Sequence, residues 1–225
     1  IVHYTGLPTV ERAIDVLSRE DCRVSCHYVV DVDGTVIQMV PEVLRAWHAG
    51  VSHWAGETDI NSCSIGIEIQ HPGHDNGYPE FGEAQMTGVV GLCLDIMARN
   101  GIPAERFLAH SDVAPFRKID PGEKFPWARL AEIGIGLWVT PEPARESDPG
   151  YGPGAGGPVV AEAQRLLARI GYGIAATGEM DAAAVLAVKA FQRHFRPERV
   201  DGRLDRSTLD AIRRLAERAP AGAAA

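Results

Sequence analysis

The chain has 225 residues, of which 45% are hydrophobic and 23% charged, and a net charge of −8. That length exceeds one typical domain of about 100 to 150 residues and suits two, and no apolar run reaches the ~18 residues a membrane span needs. The acid surplus sits in the first part, with 10 basic and 19 acidic residues through Trp138 against 12 and 11 after it, and excludes nucleic acid as a partner.

Residues 1–4 read as a strand and 9–18 as an amphipathic helix. Residues 25–30 and 35–40 read as strands joined by Asp31-Val32-Asp33-Gly34, a hairpin turn that predicts an antiparallel pair. Residues 64–70 alternate strictly, so Ile65, Ile67 and Ile69 share one face while Ser64, Gly66, Glu68 and Gln70 share the other. Glu68 therefore points away from the apolar layer. Residues 83–100 show helical spacing and end at Gly101, with Pro103 beyond. Together, residues 1–139 predict an α/β domain with a central mixed β-sheet flanked by helices. The four cysteines, Cys22, Cys26, Cys63 and Cys93, are too few and too irregular for a disulfide framework; Cys22 and Cys26 resemble half of a metal site, but all four read as buried free thiols.

Residues 140–158 are rich in Pro and Gly, lack apolar periodicity, and read as a linker or long crossing loop, which permits independent motion but is long enough to let the second domain dock on the first and wall its groove. Beyond it, 159–171, 181–195 and 205–217 each have helical periodicity, which predicts a small all-α three-helix domain over 159–218. Thr177-Gly178-Glu179-Met180-Asp181 is echoed by Asp201-Gly202-Arg203-Leu204-Asp205: in each copy a Gly turns the chain and an Asp caps the next helix. Residues 219–225 read as a flexible tail.

Seven of the eight histidines precede the linker. His27, His71 and His74 read as packing, turn or surface residues. His3 and His110 lie at or near strands, and His110 opens a polar loop that runs to Asp120, held extended by Pro121. Two imidazoles and one carboxylate make an open three-ligand zinc site with the fourth position left to water, although this spacing also arises by chance. Taken alone, Glu68 reads as a solvated strand residue and Lys118 as a surface lysine.

Ile1-Val2-His3-Tyr4-Thr5, Ser25-Cys26-His27-Tyr28, Arg45-Ala46-Trp47-His48-Ala49-Gly50, Ser64-Ile65-Gly66-Ile67-Glu68 and the loop 110–122 resemble the zinc-dependent N-acetylmuramoyl-L-alanine amidases, a family related to phage lysozyme-type amidases and peptidoglycan recognition proteins. The motifs keep that family's order and cover nearly all of the first domain. Gln164-Arg165-Leu166-Leu167, Ala190-Phe191-Gln192 and Asp201-Gly202-Arg203-Leu204-Asp205 resemble a three-helix peptidoglycan-binding module. This resemblance implies one Zn2+ per chain on His3, His110 and Asp120, with Glu68 activating water and Lys118 steadying the oxyanion. Lys118 lies two residues before Asp120, so in an extended segment both side chains face one way.

Trp47, His48 and Ala49 are expected at the substrate, Trp47 either lining the sugar groove or packing under the sheet. The related phage enzymes carry Tyr where this chain has Cys26, which leaves Cys26 as a buried neighbour of the site. The implied reaction is hydrolysis of the bond between the lactyl group of N-acetylmuramic acid and L-alanine. Its partners are peptidoglycan and muropeptides, its setting the periplasm or cell envelope, and its form a monomer. Because the sequence opens at Ile1 within a strand, a segment upstream is expected, and a leader or lipid anchor there is left open. A non-cleaving recognition protein, a phage lytic enzyme and a cytosolic recycling amidase are the alternatives. The presence of all three ligand positions and Glu68 disfavours the first, and the second domain disfavours the last.

Overall fold

The computed structural model describes residues 1–218, and the expected tail at 219–225 lies outside the described residues. Strands β1 (Val2–Tyr4), β2 (Tyr28–Val30), β3 (Val36–Gln38) and β4 (Ile67–Ile69) form one sheet in the order β1-β4-β2-β3. β4 runs parallel to both β1 and β2, and β3 pairs antiparallel with β2 through the expected hairpin. The alternating stretch keeps only its centre in the sheet, because the Gly66 N–H donates to the His27 ring instead of to a strand.

Helix α1 (Val10–Ser18) starts where Thr9 Oγ1 accepts from the Arg12 N–H at 3.3 Å. Its apolar stripe, with Val10, Ile14 and Leu17, covers Val29 and Cys26 on one face of the sheet. Helix α2 (Glu83–Asn100) packs Met86, Val89 and Ile96 over Val2, Val30, Ile67 and Ile69 on the other. It ends at Gly101, whose φ of +61° belongs to glycine and whose N–H closes on the Met97 carbonyl. Two short helices, α3 (His110–Val113) and α4 (Trp127–Glu132), were not legible, since one or two turns carry no periodicity. The polar loop thus opens with a helical turn, and residues 118–120 lie outside any helix. The thiols also divide: Cys26 and Cys93 are buried, Cys22 is half-buried and Cys63 is exposed, so burial of all four does not hold.

Helices α5 (Pro158–Ile170), α6 (Ala182–Phe195) and α7 (Arg206–Arg218) make the helical unit. The internal repeat has a physical basis in two buried glutamines. Gln164 accepts from the Gly178 N–H at 2.7 Å and donates to the Glu179 carbonyl at 2.8 Å. Gln192 repeats this with the Gly202 N–H at 2.8 Å and the Arg203 carbonyl at 3.0 Å. Asp181 and Asp205 cap the helices that follow, accepting from Ala184 and Thr208 at 2.7 and 2.8 Å.

Of the tethered and the docked arrangement, the structure has the docked one. Trp54, Val113 and Val139 of the first part share one core with Val160, Leu167, Tyr172, Phe191 and Leu215 of the second. Residues 140–158 lie along the helical unit: Tyr151 exchanges backbone hydrogen bonds with Leu204, and Arg214 and Ser207 bond the carbonyls of Thr140 and Glu142. Among the described residues, no helix is long and apolar enough to cross a membrane.

Candidate active site

Parallel pairing sets His3 of β1 beside Glu68 of β4, so both side chains leave the same face of the sheet. Val2 bridges to Ala109 beyond β1, which brings the start of α3, and with it His110, to the same edge. Asp120 returns through its own carbonyl, which accepts the Ser111 N–H at 3.0 Å. His3, His110 and Asp120 are all buried. Their donor atoms converge: the two Nδ1 atoms lie 2.8 Å apart, and Asp120 Oδ2 lies 2.9 Å from that of His110 and 3.3 Å from that of His3.

The tautomers follow from the partners. His110 Nε2 faces the Ala49 carbonyl at 3.2 Å, which only accepts, so this nitrogen carries the hydrogen and Nδ1 is bare. Ser64 gives its one hydrogen to the Ile60 carbonyl at 2.5 Å, so its oxygen accepts from His48 Nε2 at 3.3 Å. His48 Nδ1 then accepts from His3 Nε2 at 3.0 Å, and His3 Nδ1 is bare as well. Two lone pairs and a carboxylate aimed at one point repel one another unless a cation joins them. Ligands about 2.0–2.1 Å from a tetrahedral zinc lie about 3.3 Å apart, near the separations seen, and each imidazole has the outer hydrogen bond that metal-bound histidines make. The residues fit a zinc ion.

Burial pushes the Asp120 carboxyl up, but His110 and His3 outweigh it and hold the group well below the carboxylate range. Burial, reinforced by the neighbouring His110, lowers His3 to about 3, so in the metal-free state it stays neutral near pH 7. Glu68 behaves oppositely. Burial, with Asp120 adding to it and Lys118 opposing, raises its carboxyl well above 4.5. Its Oε2 is buried without a hydrogen-bond partner. Glu68, Lys118, Trp47, His48 and the three converging residues line one cleft of about 440 Å³, together with Tyr4, Thr5 and Arg117.

The expected substrate positions differ in placement. Trp47 stands 56% exposed at the rim, the Arg45 guanidinium 4.2 Å over its ring, and so does not pack under the sheet. His48 is buried, and its ring nitrogens are engaged by His3 and Ser64. Ala49 is fully buried and does not reach the cleft; its carbonyl is taken by His110 and by Arg117. Asn61 was missed: its Oδ1 accepts from the N–H groups of both His48 and Ala49, at 3.0 and 2.8 Å, and fixes that segment. Only its burial marks it. His27 and His71 are structural, each bonded through both ring nitrogens to backbone groups. Cys26 lies beneath the site, fully buried, its thiol donating to the Tyr28 carbonyl.

Residues 1–123 match the sequence model of the N-acetylmuramoyl-L-alanine amidase family. The chain belongs to the N-acetylmuramoyl-L-alanine amidases. Residues 156–212 of the amidase match a second model, the putative peptidoglycan binding domain. The N-acetylmuramoyl-L-alanine amidase AmiD of Escherichia coli (strain K12) is 36% identical over 231 residues, covering 97% of this chain and 82% of that one. The solved complex of E. coli AmiD with the substrate anhydro-N-acetylmuramic acid-L-Ala-D-gamma-Glu-L-Lys is similar at a TM-score of 0.82 and 34% identity, over 96% of this chain and 87% of that one. AmpDh3 from Pseudomonas aeruginosa in complex with anhydromuramic pentapeptide follows at 0.78 and 30% identity, over 98% of this chain and 91% of that one. The mixed sheet with flanking helices and the C-terminal helical unit are thus the amidase architecture.

Proposed function

We propose that this amidase cleaves the bond between the lactyl group of N-acetylmuramic acid and L-alanine, using one zinc ion held by His3, His110 and Asp120. The convergence of three buried donor atoms beside an unpartnered Glu68 carries the reading. Zinc in such a site lowers the pKa of water and polarises the scissile carbonyl. Glu68 takes a proton from the attacking water and returns it to the departing L-alanine amine; burial, which raises its carboxyl above the usual carboxylate range, strengthens it as a base. Lys118, in the same cleft, places its ammonium toward the negative charge that grows on the carbonyl oxygen. Trp47 offers a ring face to the sugar, at the junction with an apolar pocket of about 490 Å³ that also contains Leu17 and Val24. His48 and Ala49 hold His3 and His110 in place, His48 from the wall of the cleft and Ala49 from behind it.

The muropeptides bound in the AmiD and AmpDh3 complexes support anhydro-muropeptides as substrates. The peptidoglycan binding match supports action in the cell envelope, with a catalytic domain at 1–139, a docked connector at 140–158 and the binding domain at 159–218. Incubation with purified sacculi and with soluble muropeptides, with and without chelator, tests this by mass spectrometry. Intact stem peptides with a free L-alanine amine, absent after chelation, are expected; products cut within the peptide or glycan would refute it.

A further inference from the structure

Helix α3 is a single turn, and one turn alone is unstable because fixing its backbone returns few hydrogen bonds. It carries His110 at its first position and is tied to Asp120 through the Ser111 N–H, so any shift of the turn moves both residues. Asp112 closes the turn. Its Oδ2 accepts the Ala109 N–H at 2.9 Å, and the alanine side chain offers nothing in return. The fully buried Asp112 carboxylate has two further donors, both in the helical unit: Tyr172 O–H on Oδ1 and His194 Nδ1 on Oδ2, each at 2.6 Å. Neither donor is free to follow Asp112. The His194 ring is stacked between Trp127 and Phe195, with centroids 3.7 and 3.8 Å away, and Tyr172 stands edge-on to Trp54 at 5.0 Å.

We infer that the helical unit is part of the amidase site: Tyr172 and His194 are positioning residues that act through Asp112 on the turn presenting His110. The inference rests on His110 being a zinc ligand, as proposed above. The competing view is that Asp112 is only a peg that joins the two parts. A peg contributes to stability but leaves zinc affinity alone, whereas a positioning contact affects both. Groups hydrogen-bonded directly to metal ligands change metal affinity about 10–100-fold; Tyr172 and His194 act one step further out, through Asp112 and the turn, so the low end of that range applies.

The test measures zinc affinity by competition with a chromophoric chelator, beside the melting temperature, on the full chain. Tyr172→Phe deletes one oxygen and keeps the ring packing; His194→Phe removes the second donor. Each is expected to weaken zinc binding about tenfold. His194→Asn, which keeps an N–H near the same place, restores it. Leu215→Ala opens the shared core away from Asp112 and is expected to lower the melting temperature without moving zinc affinity. Zinc binding unchanged in Tyr172→Phe, or weakened no more than in Leu215→Ala at equal melting temperature, overturns the inference. Should His194→Phe not fold, Tyr172→Phe decides alone. His110→Ala separates the two levels: undiminished zinc binding there would sink the ligand assignment itself, and zinc lost there but kept in Tyr172→Phe would sink only the positioning role.

Discussion

Trp54→Ala probes whether the two parts of the chain unfold as one. Trp54 is 4% exposed, its backbone bridges to Tyr172, and its ring lies against Gly171 and Tyr172. Truncating a tryptophan so enclosed removes its transfer free energy and leaves a cavity, about 3–5 kcal/mol in cores of this kind. At this chain length each kcal/mol moves the midpoint roughly 2–4 °C, so the expected drop is about 6–20 °C. The shared core makes a stronger claim, that the whole chain melts in one step in both proteins. Calorimetry, with tryptophan fluorescence and far-ultraviolet circular dichroism on the same samples, measures both quantities. Two resolved transitions, only one of which responds to Trp54→Ala, would refute a common core.

Three further substitutions address the site and the surface. Glu68→Gln should keep the zinc but lose about 100-fold or more in turnover, the scale of a positioned acid–base group; activity within a few-fold of the parent would make Glu68 a bystander. Gly66→Ala puts a methyl group into the His48 ring, which cannot move without leaving His3 and Ser64, so zinc affinity should fall about 10–100-fold while the melt stays cooperative. Normal zinc binding would show that the ring does not position His3. Glu42 is held down to about 2 by Arg99 first, then by Asn100 and Tyr28. Because the folded pKa is the lower one, its contribution is complete above pH 4.5 and fades as pH falls toward 2. Glu42→Gln should cost about 1 kcal/mol near neutrality, discounted because Arg99 is exposed, and progressively less in that window; a gap constant from pH 7 to pH 3 would exclude this linkage.

The sequence by itself determined what is local. The hairpin at residues 31–34, the Gly101 stop and the capping Asp181 and Asp205 are each set by neighbours a few positions away, and the structure keeps them all. The alternation at 64–70 also oriented Glu68, since strand side chains change face at every residue. The site was less legible from composition and spacing alone: His3 and His110 are 107 positions apart, and only the parallel pairing of β1 with β4 and the bridge to Ala109 bring them together. Family motifs pointed to those residues, but motifs carry no hydrogen-bond directions. That Ala49 acts through its carbonyl and that His48 supports His3 emerge only once the chain is folded around them.

The connector is where sequence and fold part most. Pro- and Gly-rich segments are compatible with many paths, so their composition reads as freedom. Apolar and polar surfaces far away in the chain removed it: Trp54 needs the cover of Gly171 and Tyr172, and the buried carboxylate of Asp112, beyond the Ala109 N–H, takes its other donors from Tyr172 and His194. Leaving that carboxylate buried without partners is strongly destabilising, and which groups partner it is a property of the packed whole that no local pattern encodes.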